Sequence, residues 1–161
     1  MNLPLIKDLV PHGGTMLLLD QVLSADEDSL SARVTITPGS LFCDGAAVGA
    51  WVGIEYMAQA VAAHAGYCAR LRGEPVKVGF LLGSRRYQVA CARFEVGQSL
   101  TVRVRRALQS ESGLAAFECR IDGADDGAAD GQALASATVT VYQPAAVEEF
   151  LQRSLSIEAD D

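Results

Sequence analysis

GIEYMAQAVAAHAG, residues 53–66, is the stretch whose reading decides the fold. It is nearly all small and apolar, yet Glu55 and Gln59 stand four positions apart, which places them on one face of a helix. The pattern extends over residues 48–71, and Gly73 follows as a stop signal. Apolar positions occur all round the segment, so the helix has to be covered broadly. Glu55, Gln59 and His64 interrupt it, and no basic flank or aromatic belt frames it, which argues for a buried helix rather than a membrane span. A buried carboxylate is costly without a partner, and the Gln59 amide is the partner within reach. Spacing alone leaves Glu55 readable either as a functional group or as an edge residue satisfied by its neighbours. His64 lies nine residues on, roughly opposite Glu55 and about 13 Å along the axis, so the two do not pair within one helix.

The small residues Ala58, Ala60, Ala62, Ala63, Ala65 and Gly66 leave little side-chain bulk, so other elements can approach the helix backbone closely. Gly49 and Gly53 each cost about 1 kcal/mol of helix propensity relative to Ala, which close approach or a substrate passage offsets. Before the helix, residues 3–10 read as a short helix, 16–23 as a buried strand, and 29–37 as its hairpin partner across Asp26-Glu27-Asp28. Residues 38–47 read as an irregular connector. Four strand-like runs follow the helix, at residues 76–89, 99–108, 114–121 and 133–142. Consecutive antiparallel strands after a single long helix predict an α+β domain whose curved sheet wraps that helix.

A chain of 161 residues is enough for one domain with a real core, and residues 1–161 are read as a single domain. The formal net charge of −7 argues against nucleic acid and anionic membrane surfaces as partners, since both need clustered Lys and Arg. Cys43, Cys68, Cys91 and Cys119 are scattered without a close ligand pair, so no metal site is expected and free thiols in a reducing compartment are. Lys7 and Asp8 stand where a signal peptide would be apolar, and a cytoplasmic protein is expected.

PHGGTMLLLDQV (11–22), EYMAQAVAAHAG (55–66), LLGSRRYQVACARFEVGQSL (81–100) and DGQALASATVTVY (130–142) together resemble, in order, the motifs of the β-hydroxyacyl-acyl-carrier-protein dehydratases. GAWVGIEYMAQ (49–59) is most similar to the 3-hydroxyacyl-carrier-protein dehydratases of aryl polyene assembly. The resemblance implies a hotdog fold and dimerisation with sheets joined edge to edge. It also implies a site at the subunit interface, with an acyl tunnel beside the helix. It assigns catalysis to Glu55, Gln59 and His12, and substrate contact to Ala50, Trp51, Gly79, Phe80 and Arg85. The helix-start amide that meets the thioester carbonyl falls at Ala50. Arg85 reads equally as a contact to the phosphopantetheine phosphate and as a solvated strand end, His12 as a turn residue beside Pro11, and Trp51 as packing.

The implied activity is dehydration of a 3-hydroxyacyl thioester to the 2-enoyl thioester, with no cofactor. The implied partners are an acyl carrier protein bearing a phosphopantetheine-linked acyl chain and a second hotdog subunit, in a homodimer or heterodimer. One departure matters. In the best-known dehydratases a His lies fourteen residues before the acid, and Leu41 stands there in this chain. Two further readings stay open: a catalytically incomplete subunit paired with a His-bearing relative, and a thioesterase using Glu55.

Overall fold

The computed structural model describes residues 3–10, 14–75, 80–123 and 133–142. Strands β1 (Gln21–Ala25) and β2 (Ser29–Thr35) form the first hairpin. Its turn is closed by Asp26, whose Oδ1 accepts the backbone N–H of Asp28 and of Ser29, each at 2.8 Å. Those two bonds hold the Asp26 carboxyl below the usual carboxylate range. Next come a short strand β3 (Ala47–Gly49), a 3-10 turn (Ala50–Val52) and the helix α1 (Gly53–Leu71). Strands β4 (Phe80–Val89), β5 (Arg93–Glu95), β6 (Ser99–Gln109), β7 (Leu114–Gly123) and β8 (Ala135–Tyr142) complete the described chain.

Six strands make one antiparallel sheet in the order β1-β2-β6-β7-β8-β4, and β3 pairs with β5 beside it. The inward positions alternate along each strand: Leu30, Ala32 and Val34; Leu100, Val102 and Val104; Phe117, Cys119 and Ile121; Ala135, Ala137 and Val139. These bury the face of α1 carrying Tyr56, Met57, Ala60, Val61 and Ala63. Each larger aliphatic side chain so buried stabilises the fold by about 1.5–3 kcal/mol. The helix ends as a Schellman motif at Gly73 (φ 69°), with Glu74 N–H donating to the Ala69 carbonyl and Gly73 N–H to the Arg70 carbonyl.

Three sequence expectations need correction. Residues 3–10 hold a single 3-10 turn (Ile6–Asp8) rather than a regular helix, and residues 16–20 precede the first strand instead of forming it. In both stretches a run of Leu and Ile reports burial, as Leu9 and Leu19 show, but not backbone conformation. The helix also starts later than the sequence pattern implies: Val48 and Gly49 belong to β3 and residues 50–52 to a 3-10 turn, so α1 begins at Gly53, while β5 lies beside a segment read as a turn.

His64, on the far side of α1 from Glu55, is buried and bonds the Glu27 carbonyl through Nε2 at 3.0 Å, tying the helix to the β1–β2 turn. Phe117 meets the imidazole edge-on at 5.5 Å. Burial lowers the pKa of the imidazole, a shift reinforced by Arg106 and opposed by the Glu27 bond and by Asp26. The unfolded chain therefore takes up a proton near the ordinary value of 6.5 while the folded one resists it. Stability from the neutral imidazole is complete above that value and is lost as pH falls below it. Thermal unfolding from about pH 7.5 to about pH 5.5 is expected to show a drop in melting temperature that is smaller in His64→Gln, which keeps a donor for Glu27 but does not titrate.

Candidate active site

The start of α1 is held from three directions. Val48 of β3 pairs with Phe94 of β5, and the ladder runs one step further as Ala50 N–H donates to the Ala92 carbonyl at 3.0 Å. From β4, the Tyr87 hydroxyl donates a short hydrogen bond to the Ala50 carbonyl, which also accepts Gly53 N–H. Gly53 has no Cβ for a reason of space: one placed there would strike the Tyr87 hydroxyl and approach Ile121 Cδ1 to 3.1 Å.

Nearly two turns in, Gln59 is fully buried and uses both N–H groups and the oxygen of its amide. Its Nε2 donates to the Met16 carbonyl at 2.7 Å and to Glu55 Oε1 at 3.1 Å, while its Oε1 accepts Leu18 N–H at 2.8 Å. Gln59 thus clamps the segment before β1 onto the helix and fixes the Glu55 carboxylate in one rotamer. Glu55 itself is half-buried, on the stripe with Ala58, Ala62 and Ala65 that this chain leaves partly open. The pairing is the i, i+4 contact that the spacing implies.

Trp51 is 65% exposed and Phe42 54%, their rings 5.3 Å apart, so neither belongs to the core of this chain. Phe42 holds a left-handed backbone (φ 66°), a conformation costly for a bulky side chain. Arg85 lies in the exposed part of β4, opposite Thr138, and Phe80 opens the same strand. His12 and Gly79 fall outside the described residues. The structure thus joins Glu55 to Gln59 and, separately, the helix start at Ala50 to Tyr87. Tyr87 is the member that sequence reasoning assigned no role, because its reach to Ala50 depends on a strand irregularity.

Two surface grooves lie elsewhere. One of about 800 Å³ runs between Leu3, Leu5 and Ile6 and the Leu17, Leu19 and Val22 side. The other, about 610 Å³, crosses the outer sheet face between Ser31, Arg103, Arg105, Arg120 and Ser136. Neither is lined by Glu55 or Gln59. Among the described residues, no group of three or more His, Cys, Asp or Glu is placed to hold a metal ion, and no helix is long and apolar enough to cross a membrane.

The family model of ApeP-like proteins, described as ApeP dehydratase, matches residues 4–152. The chain belongs to the ApeP-like dehydratase family. A solved chain of the dehydratase heterocomplex ApeI:P from Xenorhabdus doucetiae is 26% identical, with a TM-score of 0.80, covering 94% of this chain and 98% of that one. A hypothetical thioesterase from Streptococcus pneumoniae, solved with coenzyme A, is 10% identical with a TM-score of 0.58, over 76% of this chain and 84% of its own. Zebra fish thioesterase superfamily member 2 is 11% identical with a TM-score of 0.58, over 77% and 80%. These last two share the fold with the ApeP-like chain, an α+β hotdog in which an antiparallel sheet wraps one long helix. No curated protein sequence matches the chain.

Proposed function

We propose that this chain, a single hotdog domain over residues 1–161, is a subunit of a cytoplasmic dehydratase. Its substrate is a 3-hydroxyacyl thioester carried on the phosphopantetheine arm of an acyl carrier protein, and its product the 2-enoyl thioester, in aryl-polyene- or fatty-acid-type assembly. The observation that carries this reading is the half-buried Glu55 carboxylate, held by the fully buried Gln59 at the start of α1, in a chain of the ApeP-like dehydratase family.

The reaction removes a proton from the α-carbon, breaks the β C–O bond, forms the double bond between those carbons and releases water. Glu55 delivers the proton to the departing hydroxyl. Charge gathering on the thioester oxygen is met at the N-terminus of the helix, where backbone N–H groups and the helix dipole favour it. The reaction is redox-neutral and calls for no cofactor.

The α-proton needs a base. His64 does not serve, since its ring is bound to the Glu27 carbonyl on the far side of α1. Leu41 stands fourteen residues before Glu55, where the resemblance to the best-known β-hydroxyacyl-carrier-protein dehydratases implies an imidazole. The similarity to a chain of the dehydratase heterocomplex ApeI:P supports a base supplied by a related hotdog subunit, with His12 the alternative within this chain. The ten-residue β4 is an edge strand of the sheet, and its unpaired main-chain groups suit pairing with a second subunit. That subunit completes the acyl passage beside Glu55 and Trp51, and Arg85 meets the phosphopantetheine arm; Gly79 and Phe80 are assigned to substrate contact by the family resemblance alone.

The test assays a short 3-hydroxyacyl thioester with the chain alone, with the related subunit alone, and with both, reading alkene formation and thiol release separately. The mixture is expected to form the enoyl thioester at least about 100-fold faster than this chain alone, the worth of one general base. Thiol release without alkene overturns the reading in favour of a thioesterase.

A further inference from the structure

Resting on the dehydratase reading, we propose that Tyr87 is a positioning residue of the reaction: by holding the Ala50 carbonyl, its hydroxyl aims the Trp51 backbone N–H at the thioester oxygen. Four observations converge on it. Ala50 N–H, the amide the family resemblance points to, is already spent on the Ala92 carbonyl. The next amide, of Trp51, lies in the first turn, where a helical N–H has no acceptor within the helix. The peptide between Ala50 and Trp51 is trans and planar, so fixing its C=O fixes the N–H in the opposite direction. Its carbonyl accepts two hydrogen bonds, from Tyr87 and Gly53, and a peptide polarised this way is a stronger donor at its N–H.

The strand is built to bring Tyr87 there. Arg85 pairs with Thr138 and Gln88 with Ser136, so Arg86 and Tyr87 together oppose Ala137 in a β-bulge. Arg86 carries a left-handed backbone (φ 56°), which a non-glycine residue adopts at a cost. Without the bulge, Tyr87 shares the outward face of Arg85; with it, the ring turns inward to the helix start. Gly53 then leaves the space that the hydroxyl fills. Burial pushes the Tyr87 phenol up to about 12, so it stays a donor at any working pH.

The experiment uses the full chain with its related subunit and a saturated acyl-pantetheine thioester, isotope-labelled at the carbonyl. Infrared difference spectra are expected to show the bound C=O stretch lowered from its value in buffer. Tyr87→Phe is expected to lose about half or more of that lowering, and to reduce kcat about 10-fold with KM within about 2-fold, as for a weakened oxyanion donor. Gly53→Ala, which dislodges the same hydroxyl from the other side, is expected to give the same spectral loss, and it decides the matter should Tyr87→Phe not fold. A full carbonyl shift and unchanged kcat in these variants, or a change in KM alone, overturns the role of Tyr87 and leaves the dehydratase reading standing. A wild-type protein that leaves the bound carbonyl at its solution frequency overturns that reading, and this inference with it.

Discussion

Glu55→Gln is expected to slow enoyl formation about 10³-fold, within the range for loss of one general acid. The substitution is nearly isosteric. The new side-chain oxygen still accepts from Gln59 Nε2, so the clamp that joins Glu55, Gln59 and the Met16 carbonyl keeps its geometry. What disappears is the proton for the departing hydroxyl. Substrate binding uses the helix start and the acyl passage instead, so kcat should fall with KM little changed, the pattern of an interaction made only in the transition state. Glu55→Ala should lose at least as much and should also leave one Gln59 N–H without its acceptor, at a cost of about 1 kcal/mol in stability. The measurement is the steady-state rate of the complex with the related subunit, beside a melting curve of each variant. Turnover within about 3-fold of wild type in either variant would remove Glu55 from the chemistry.

The parts of this site that could be read in the sequence are those carried by local spacing. Glu55 and Gln59 meet because residues four apart on a helix are neighbours, and Gly73 stops that helix because it supplies the left-handed residue a Schellman motif needs. The later strands were legible for the same kind of reason, as alternation places Val102, Val104, Phe117 and Ile121 inward. Strands β3 and β5 were not. Three residues are too few to show a period, and they exist because Val48 and Phe94 pair across the intervening helix and strand. Tyr87 was hidden more deeply. Alternation with Arg85 assigns it to the outer face, and only a bulge centred on Arg86 reverses this, a residue type with no special preference for the left-handed region. Gln59 shows the boundary well: its bond to Glu55 follows from sequence, while its bonds to Met16 and Leu18 required the chain before β1 to run past the helix. The glycines of the helix lie between these cases. Gly in a helix interior signals that something comes close, but not what: at Gly53 it is a phenol and at Gly66 a backbone carbonyl.

Gly66→Ala is expected to destabilise the fold by about 2 kcal/mol net, against the direction that helix propensity alone dictates. An exposed Gly→Ala change inside a helix stabilises by about 1 kcal/mol. Here a Cβ would collide with the Leu9 carbonyl oxygen, and it would lie 2.8 Å from Leu9 C and 3.0 Å from Leu9 Cα. The obstacle is main chain, which does not swing aside as the end of a long side chain does. Leu9 is fully buried and sits beside the turn formed by Ile6–Asp8, so giving way means lifting this N-terminal segment off the helix and opening apolar contacts of Ile6, Leu9 and Val10. Overpacking of this kind costs about 3 kcal/mol, from which the propensity gain is subtracted. For a chain of this length the net loss corresponds to a fall in melting temperature of roughly 4–8 °C. Catalysis should survive in the folded fraction, because Leu9 and Gly66 contact neither the Glu55–Gln59 pair nor the Ala50–Tyr87 pair. A variant as stable as wild type, or more so, would show that the N-terminal segment does not rest on the helix in solution.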